Sequence, residues 1–202
     1  MSVLLPRRGV HFSRVVPAVV ASVSVLFLAR TAHAQRYYDE QGRSGFALGL
    51  DLEGAAPINV PQVNGNSIDG GGGFKVRLGE QIRVPGMRFT PELGYGYDHL
   101  FASDASGAAY AWDLHRVFAG GRIGFGHFLV PVIYGHLGYG WRDTGDPNIA
   151  SAGGLAYDVG GALDLHVVPH FGFGAHLELA GIQSQPDTPQ WLAFGLHADL
   201  VF

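Results

Sequence analysis

Apolar and polar residues alternate along most of the chain after residue 43, which is the period of a β-strand. The last segment, 191–202, has apolar residues at every second position: Leu192, Phe194, Leu196, Ala198, Leu200 and Phe202. Every second side chain of a strand points to the same face. The pattern therefore predicts a final strand with one apolar face and one face that carries Gly195, His197 and Asp199.

Seven other segments alternate in the same way, within 44–54, 72–82, 88–98, 109–125, 133–142, 155–166 and 171–179. In the fourth of them the apolar positions change parity between Leu114 and Val117, which indicates either a bulge near Arg116 or a strand boundary other than 109–125, and the pattern does not fix its inward face. A strand of about 10 residues is long enough to cross a bilayer, and an even number of antiparallel strands can close without an edge. The sequence predicts an all-β fold, a closed eight-stranded antiparallel transmembrane barrel over residues 44–202.

The predicted connections are of two kinds. Those at 84–86, around 126–127 and at 167–170 are short, whereas those at 54–70, 99–109, 142–152 and 181–190 are longer and rich in Pro, Asn, Asp, Gly and Ser. Short turns at one end and long loops at the other are typical of outer-membrane barrels, in which the long loops are extracellular.

Aromatic residues are sorted between the two ends of the strands. Beside the long connections we expect an outer girdle of Tyr95, Tyr97, Trp112, Tyr139, Trp141, Tyr157 and Trp191. Beside the short turns and the termini we expect an inner girdle of Phe46, Phe89, Phe125, Phe171 and Phe202.

The polar faces of the strands are predicted to line the lumen. Their ionisable residues are Asp51, Glu53, Lys75, Arg77, Arg88, Glu92, Asp98, Arg122, His136, Asp158, Asp164, His166, His176, Glu178, His197 and Asp199. The interior of an eight-stranded barrel is only wide enough for side chains to fill it. We therefore expect a plug of paired charges, with an ion or small-solute pore as the alternative.

Histidines on three successive strands, His166, His176 and His197, are the candidates for a metal site, but their spacing does not fix a tetrahedral geometry, and no metal or cofactor is predicted. Catalysis is not predicted either. The serines at 103, 106, 151 and 184 lie in or beside loops, and His99, four residues before Ser103, has no evident third partner.

The N-terminus has the pattern of a cleaved signal peptide. Arg7, Arg8 and Arg14 precede the apolar run VVPAVVASVSVLFLA, and the run is followed by AHA at 32–34. This run is shorter than the about 20 residues of a spanning helix. We expect a signal peptide at 1–34 and a short periplasmic segment at 35–43.

Charge and cysteine content narrow the choice of partners. The formal net charge is −4, no Lys or Arg cluster follows the signal segment, and nucleic acid is therefore not an expected partner. The chain has no cysteine, so its stability has to come from packing and hydrogen bonds. The expected contacts are outer-membrane lipid and an unidentified ligand at the four long loops.

On this pattern of strands, and on the terminal GLHADLVF, the sequence resembles the small eight-stranded outer-membrane barrels, a group that includes the transmembrane domain of outer membrane protein A. The resemblance implies a Gram-negative outer-membrane location and recognition of the last strand by the barrel insertion machinery. It favours a structural or surface-interaction role. A lipid-modifying enzyme and a soluble lipocalin-like binder are less favoured roles, and the lipocalin-like binder requires charges outside and apolar residues inside.

Overall fold

A computed structural model describes residues 44–59, 67–103, 109–126, 128–144, 151–168, 170–185 and 188–202. Eight strands account for nearly all of them: β1 (Gly45–Asn59), β2 (Ser67–Val84), β3 (Met87–Ser103), β4 (Ala109–Phe125), β5 (Leu129–Thr144), β6 (Ala152–Val168), β7 (Phe171–Gln183) and β8 (Gln190–Val201). The described part of the chain contains no helix long and apolar enough to cross a membrane. The predicted signal peptide, 1–34, and the segment 35–43 lie outside the described residues.

The strands form one closed barrel in which each strand pairs antiparallel with its neighbours in sequence and β8 pairs with β1. Asp51 on β1 shows the closure directly, because its register partners are Lys75 on β2 and His197 on β8. The prediction of a closed eight-stranded antiparallel barrel is confirmed.

The alternation along each strand separates a lipid-type exterior from a charged interior. Large apolar side chains are exposed all around the wall, among them Leu52, Leu93, Val117, Leu137, Val159, Leu177 and Leu196. Charged side chains from every strand are buried inside, and Lys75, Glu178 and Asp98 are at most 2% exposed. This arrangement excludes the soluble lipocalin-like fold, which needs the opposite orientation of the two faces.

The strands are longer than the pattern predicts. They contain 12 to 18 residues, compared with the about 10 that cross a bilayer. The additional residues lie at the outer ends of the strands. For example, β1 ends at Asn59 and β2 begins at Ser67, and both residues lie within the stretch 54–70 that the sequence pattern assigns to a loop. At the inner end the connections are short. Two of them use Gly86 and Gly126 at φ 76° and 106°, a conformation that glycine adopts without steric cost.

The predicted bulge near Arg116 is wrong. β4 pairs with β3 without interruption from Ala109 to Phe125, and its register with β5 is continuous as well. Trp112 and Leu114 share the inward face with Arg116. The apparent change of parity arises because the inward face of β4 is apolar at the outer end of the strand, at Trp112 and Leu114, and carries Arg116 and Arg122 toward the inner end.

Candidate functional site: the charged lumen

Lys75 is at the centre of the polar lumen. Its ammonium group forms a short contact with Glu178 and lies 3.4 Å from Glu53 Oε2 and 3.8 Å from Asp51 Oδ2. Each of these side chains is at most 5% exposed. Burial of a charged ammonium group away from water is unfavourable unless carboxylates compensate its charge. Lys75 and these carboxylates therefore stabilise one another.

Arg116 connects the same centre to the opposite wall. Its guanidinium lies 3.0 Å from Asp98, 3.3 Å from Asp158 and 3.5 Å from both Glu53 and Glu178. The sequence pattern does not select Arg116, because the supposed bulge obscures its orientation. Arg116 and Arg122 are six residues apart on the same strand, so their side chains point to the same face. This spacing is the signal that would have identified Arg116 as a lumen residue.

Arg77 organises the next layer toward the inner end. It donates to Asp51 through Nε and Nη2, at 3.1 and 2.7 Å, to Glu92 through Nη1 at 3.1 Å, and to Asp199 through Nη2 at 2.9 Å. A planar guanidinium can serve several carboxylates at once, so this single side chain on β2 connects β1, β3 and β8.

His136 bridges two carboxylates of the lumen. Its Nδ1 lies 2.5 Å from Asp158 and its Nε2 lies 2.8 Å from Glu92. With both carboxylates ionised, each ring nitrogen has to donate a proton, and His136 is then an imidazolium cation. Tyr134 adds a hydrogen bond from its hydroxyl to Glu178 at 3.1 Å.

The three histidines considered as metal ligands make separate contacts with carboxylates, although the ring centres of His176 and His197 are only 5.6 Å apart. His176 Nε2 lies 3.1 Å from Glu53, in the central layer. His197 Nε2 lies 2.8 Å from Asp164 Oδ1, whereas His166 Nε2 lies 4.0 Å from Asp164 Oδ2. The structure instead brings Asp164, His197 and Asp199 together, with one ligand atom from each within 4.8 Å of the others.

A cavity opens below these layers, near the short turns. Its lining includes Arg88, Arg122, Asp164, His166 and Asp199. Arg122 Nη1 lies 3.6 Å from Asp199 Oδ2, and the Arg122 guanidinium also lies 5.0 Å from the centre of the Tyr134 ring. At the inner end of the lumen, charged side chains therefore line a cavity that is large enough for water.

The outer end of the lumen is apolar. A buried cluster fills it: Ala55, Leu100, Ala102, Trp112, Leu114, Ala156, Ala180, Ile182, Trp191 and Ala193. Two guanidiniums lie against its indole rings, Arg142 at 4.4 Å from the ring centre of Trp112 and Arg116 at 4.9 Å from that of Trp191. We call this group of residues the outer plug.

The outer plug corrects two girdle assignments. The sequence pattern places Trp112 and Trp191 against lipid, but they are 2% and 0% exposed and point into the barrel. Both have the residue parity of the inward face of their strand. Proximity to a long loop therefore does not place an aromatic side chain on the lipid face, because the parity of its position decides the face.

The remaining predicted girdle residues lie at least partly exposed on the strands. On the outer side these are Tyr95, Tyr97, Tyr139, Trp141 and Tyr157, and on the inner side Phe46, Phe89, Phe125, Phe171 and Phe202. Phe46 and Phe202, from the two strands that close the barrel, have ring centres 6.4 Å apart.

On β3 and β4 the outer girdle contains a polar cluster. Tyr97 donates its hydroxyl to Asp113 at 2.7 Å, and His99 Nδ1 lies 2.8 Å from the same carboxylate oxygen. The ring of His115 stacks on Trp141 with centres 4.9 Å apart. His99, the histidine considered together with Ser103, is therefore held by a carboxylate from the neighbouring strand.

These features define the class of protein. A closed barrel with an apolar wall, aromatic bands and a charged, filled interior is a transmembrane barrel of the outer-membrane type. No protein-family model matches the sequence, and no curated protein matches it either. Similarity is found among solved structures.

Two of these structures share the fold. Neisserial surface protein A (NspA) aligns with a TM-score of 0.59 at 14% identity, over 81% of this chain and 100% of that one. Ail, the attachment invasion locus protein of Yersinia pestis, aligns with a TM-score of 0.50 at 14% identity, over 80% of this chain and 99% of that one. The chain has the fold of the small eight-stranded outer-membrane barrels.

Proposed function

We propose that this protein is a sealed structural barrel of the outer membrane that displays its outer rim at the cell surface. The observation that carries the proposal is the outer plug. Trp112, Trp191, Leu100, Leu114 and Ile182 are at most 2% exposed across the outer end of the lumen. An ion that entered from the inner cavity would have to leave water and pass this apolar layer.

The charged layers support the same conclusion. Each cation of the centre contacts several carboxylates from other strands, so a permeating ion would have to displace ion pairs that stabilise the fold. This favours a structural barrel over a narrow pore.

Display at the surface is supported by the outer rim. The strand ends that flank 60–66, 104–108, 145–151 and 184–189 all lie at the end of the barrel opposite Gly45 and Val201. The sequence of these four connections contains Asp104, Asp146 and Asp187 but no Lys or Arg. The two structural neighbours have names that describe a surface protein and an attachment and invasion locus protein. We propose that an external ligand binds this acidic rim.

The proposed role is not enzymatic. The His99 and Asp113 pair lies within the outer girdle, where it also binds the Tyr97 hydroxyl, and this gives it a function in anchoring the wall. We also propose that the alternating segment GLHADLVF, which ends β8, is recognised by the insertion machinery, and that outer-membrane lipid surrounds the wall.

Conductance measurements test the seal. The folded protein in planar bilayers is expected to show no channel openings under applied voltage. The double variant Trp112→Ala, Trp191→Ala removes the two indole rings of the outer plug, its largest side chains, and is expected to produce openings. Trp141→Ala, which removes an exterior indole, is the matched control and should remain silent. Steady conductance of the unmodified protein would overturn the proposal in favour of a pore.

An inserted tag tests display separately. An epitope placed between Asp104 and Ala105 should be accessible to antibody on intact cells, whereas one placed between Pro85 and Gly86 should become accessible only after the outer membrane is permeabilised. The reverse pattern would show that the barrel is oriented the other way.

A further inference from the structure

Carboxylates outnumber Lys and Arg side chains in the buried lumen. The buried acids of the described residues are Asp51, Glu53, Glu92, Asp98, Asp158, Asp164 and Glu178, whereas the buried bases are Lys75, Arg77, Arg116, Arg122 and Arg142. Buried charges persist when they are compensated. Histidines can supply further compensation, either as imidazolium cations or as ligands of a metal ion.

His136 satisfies the first possibility, because both of its ring nitrogens face carboxylates. His197 has a different environment. Its Nε2 faces Asp164, but its Nδ1 is buried and has no hydrogen-bond partner among the described residues. Unlike His136, this ring therefore has a carboxylate at only one of its two nitrogens.

The Nε2 side of His197 has the donor set of a metal site. Nε2 lies 2.8 Å from Asp164 Oδ1 and 3.7 Å from Asp199 Oδ2. Two ligands of a tetrahedral zinc ion, each about 2.0 to 2.2 Å from the metal, are about 3.3 Å apart. Shifts of about half an ångström would bring these two pairs to that spacing, and the ligand atoms of Asp164 and Asp199 lie within 4.8 Å of each other.

We propose that Asp164, His197 and Asp199 bind a zinc-type divalent cation at the inner end of the lumen. The ion takes the place of the hydrogen bond between His197 and Asp164. The ring proton of His197 then resides on Nδ1, where no existing hydrogen bond has to break. The mixture of imidazole and carboxylate ligands selects a metal such as Zn²⁺ over Ca²⁺ and Mg²⁺, which bind oxygen.

The surroundings of the cluster suit such a site. Asp164 and Asp199 line the inner cavity, which supplies a route from the periplasmic end and space for a water molecule as fourth ligand. Arg77 donates to Asp199 Oδ1 at 2.9 Å, which orients the carboxylate and leaves Oδ2 toward His197. Arg122 Nη1 forms an ion pair with Oδ2 at 3.6 Å, so its guanidinium has to move away from this oxygen when the cation binds.

Calorimetric titration of the folded protein in detergent with Zn²⁺ tests the site. We expect one saturable binding event and a higher melting temperature, whereas Ca²⁺ and Mg²⁺ give neither. Asp164→Asn preserves the size of the side chain, and His197→Gln removes the nitrogen ligand. Each should weaken Zn²⁺ binding by at least about tenfold.

Two controls separate this site from other histidines. His115→Gln and His99→Gln each remove a histidine of the outer girdle, at the other end of the barrel, so both variants should bind Zn²⁺ like the unmodified protein. Resistance of each variant to detergent until boiling establishes that it is folded. The proposal is overturned if the unmodified protein shows no Zn²⁺-dependent heat or melting shift, or if folded Asp164→Asn and His197→Gln bind Zn²⁺ normally.

Discussion

At the scale of single residues, the lumen depends on a few cations that each serve several acids. Lys75 is the clearest case, since Glu178, Glu53 and Asp51 all face its ammonium group. Removal of one partner from a buried ion pair leaves a charge without compensation, and this costs more than the pair itself contributes. The effect of a substitution here depends on the charge that is left behind.

Lys75→Met is therefore expected to lower the free energy of unfolding by about 3 to 5 kcal/mol. Urea unfolding of the protein in phospholipid vesicles measures this loss. The double variant Lys75→Met, Glu178→Gln removes one of the orphaned charges and should recover part of it. Glu80→Gln, a substitution on the exposed face of the same strand, is the control and should cost no stability. Equal losses in the single and double variants would contradict the ion-pair account.

At the scale of strands, the register between β4 and β5 is a direct test of the continuous pairing. Asp113 lies opposite Asp143, and Ala119 lies opposite Leu137, on the two sides of Arg116. The chain has no cysteine, so an introduced pair of cysteines provides the only two thiols that can form a disulfide within one molecule. Paired Cβ atoms about 4.5 to 5.5 Å apart can be joined by a disulfide with little movement.

Cysteine pairs at 113 and 143 and at 119 and 137 should both oxidise efficiently in the folded barrel, as shown by a gel shift after mild oxidation. The pair at 119 and 139 is offset by two residues, at about 7 to 8 Å, and should react poorly. A bulge near Arg116 would allow only one of the first two pairs to form. Efficient reaction of the offset pair instead would indicate a shifted register.

Strand number, closure and the two faces were predictable because alternation is a local property of the sequence. The wall of β5 is readable from Ile133 and Leu137 alone. The outer plug was not predictable in this way. Its residues have the parity of the inward faces, but an apolar residue at an inward position resembles a lipid-facing one when only hydrophobicity is considered, as Trp112 and Leu114 on β4 show. The cluster of Asp164, His197 and Asp199 depends on the stagger between β6 and β8, which no spacing within one strand reveals.

At the scale of the whole molecule, closure requires that each backbone N–H within the bilayer has a partner on a neighbouring strand, because no water is available there. Two of the prolines in the strands, Pro91 and Pro57, agree with this requirement. Pro91 lies where the pairing of β2 with β3 passes from Gly79↔Glu92 directly to Ile82↔Phe89, and Pro57 lies at the irregularity between β1 and β8. Proline has no backbone N–H to donate, and at both positions the hydrogen-bonded pairing with the neighbouring strand is interrupted.

Ala198 is in the opposite situation, since it pairs with Leu50 on β1 and with Phe173 on β7 in uninterrupted stretches of both ladders. Ala198→Pro removes an N–H and constrains the backbone at the closing strand, and we expect it to prevent barrel closure. The folded form that resists detergent until boiled should then be lost on gels. Ala198→Val keeps the N–H and places a larger apolar group toward lipid, so it should retain that form. A heat-modifiable Ala198→Pro barrel would mean that β8 does not close the sheet through this part of the ladder.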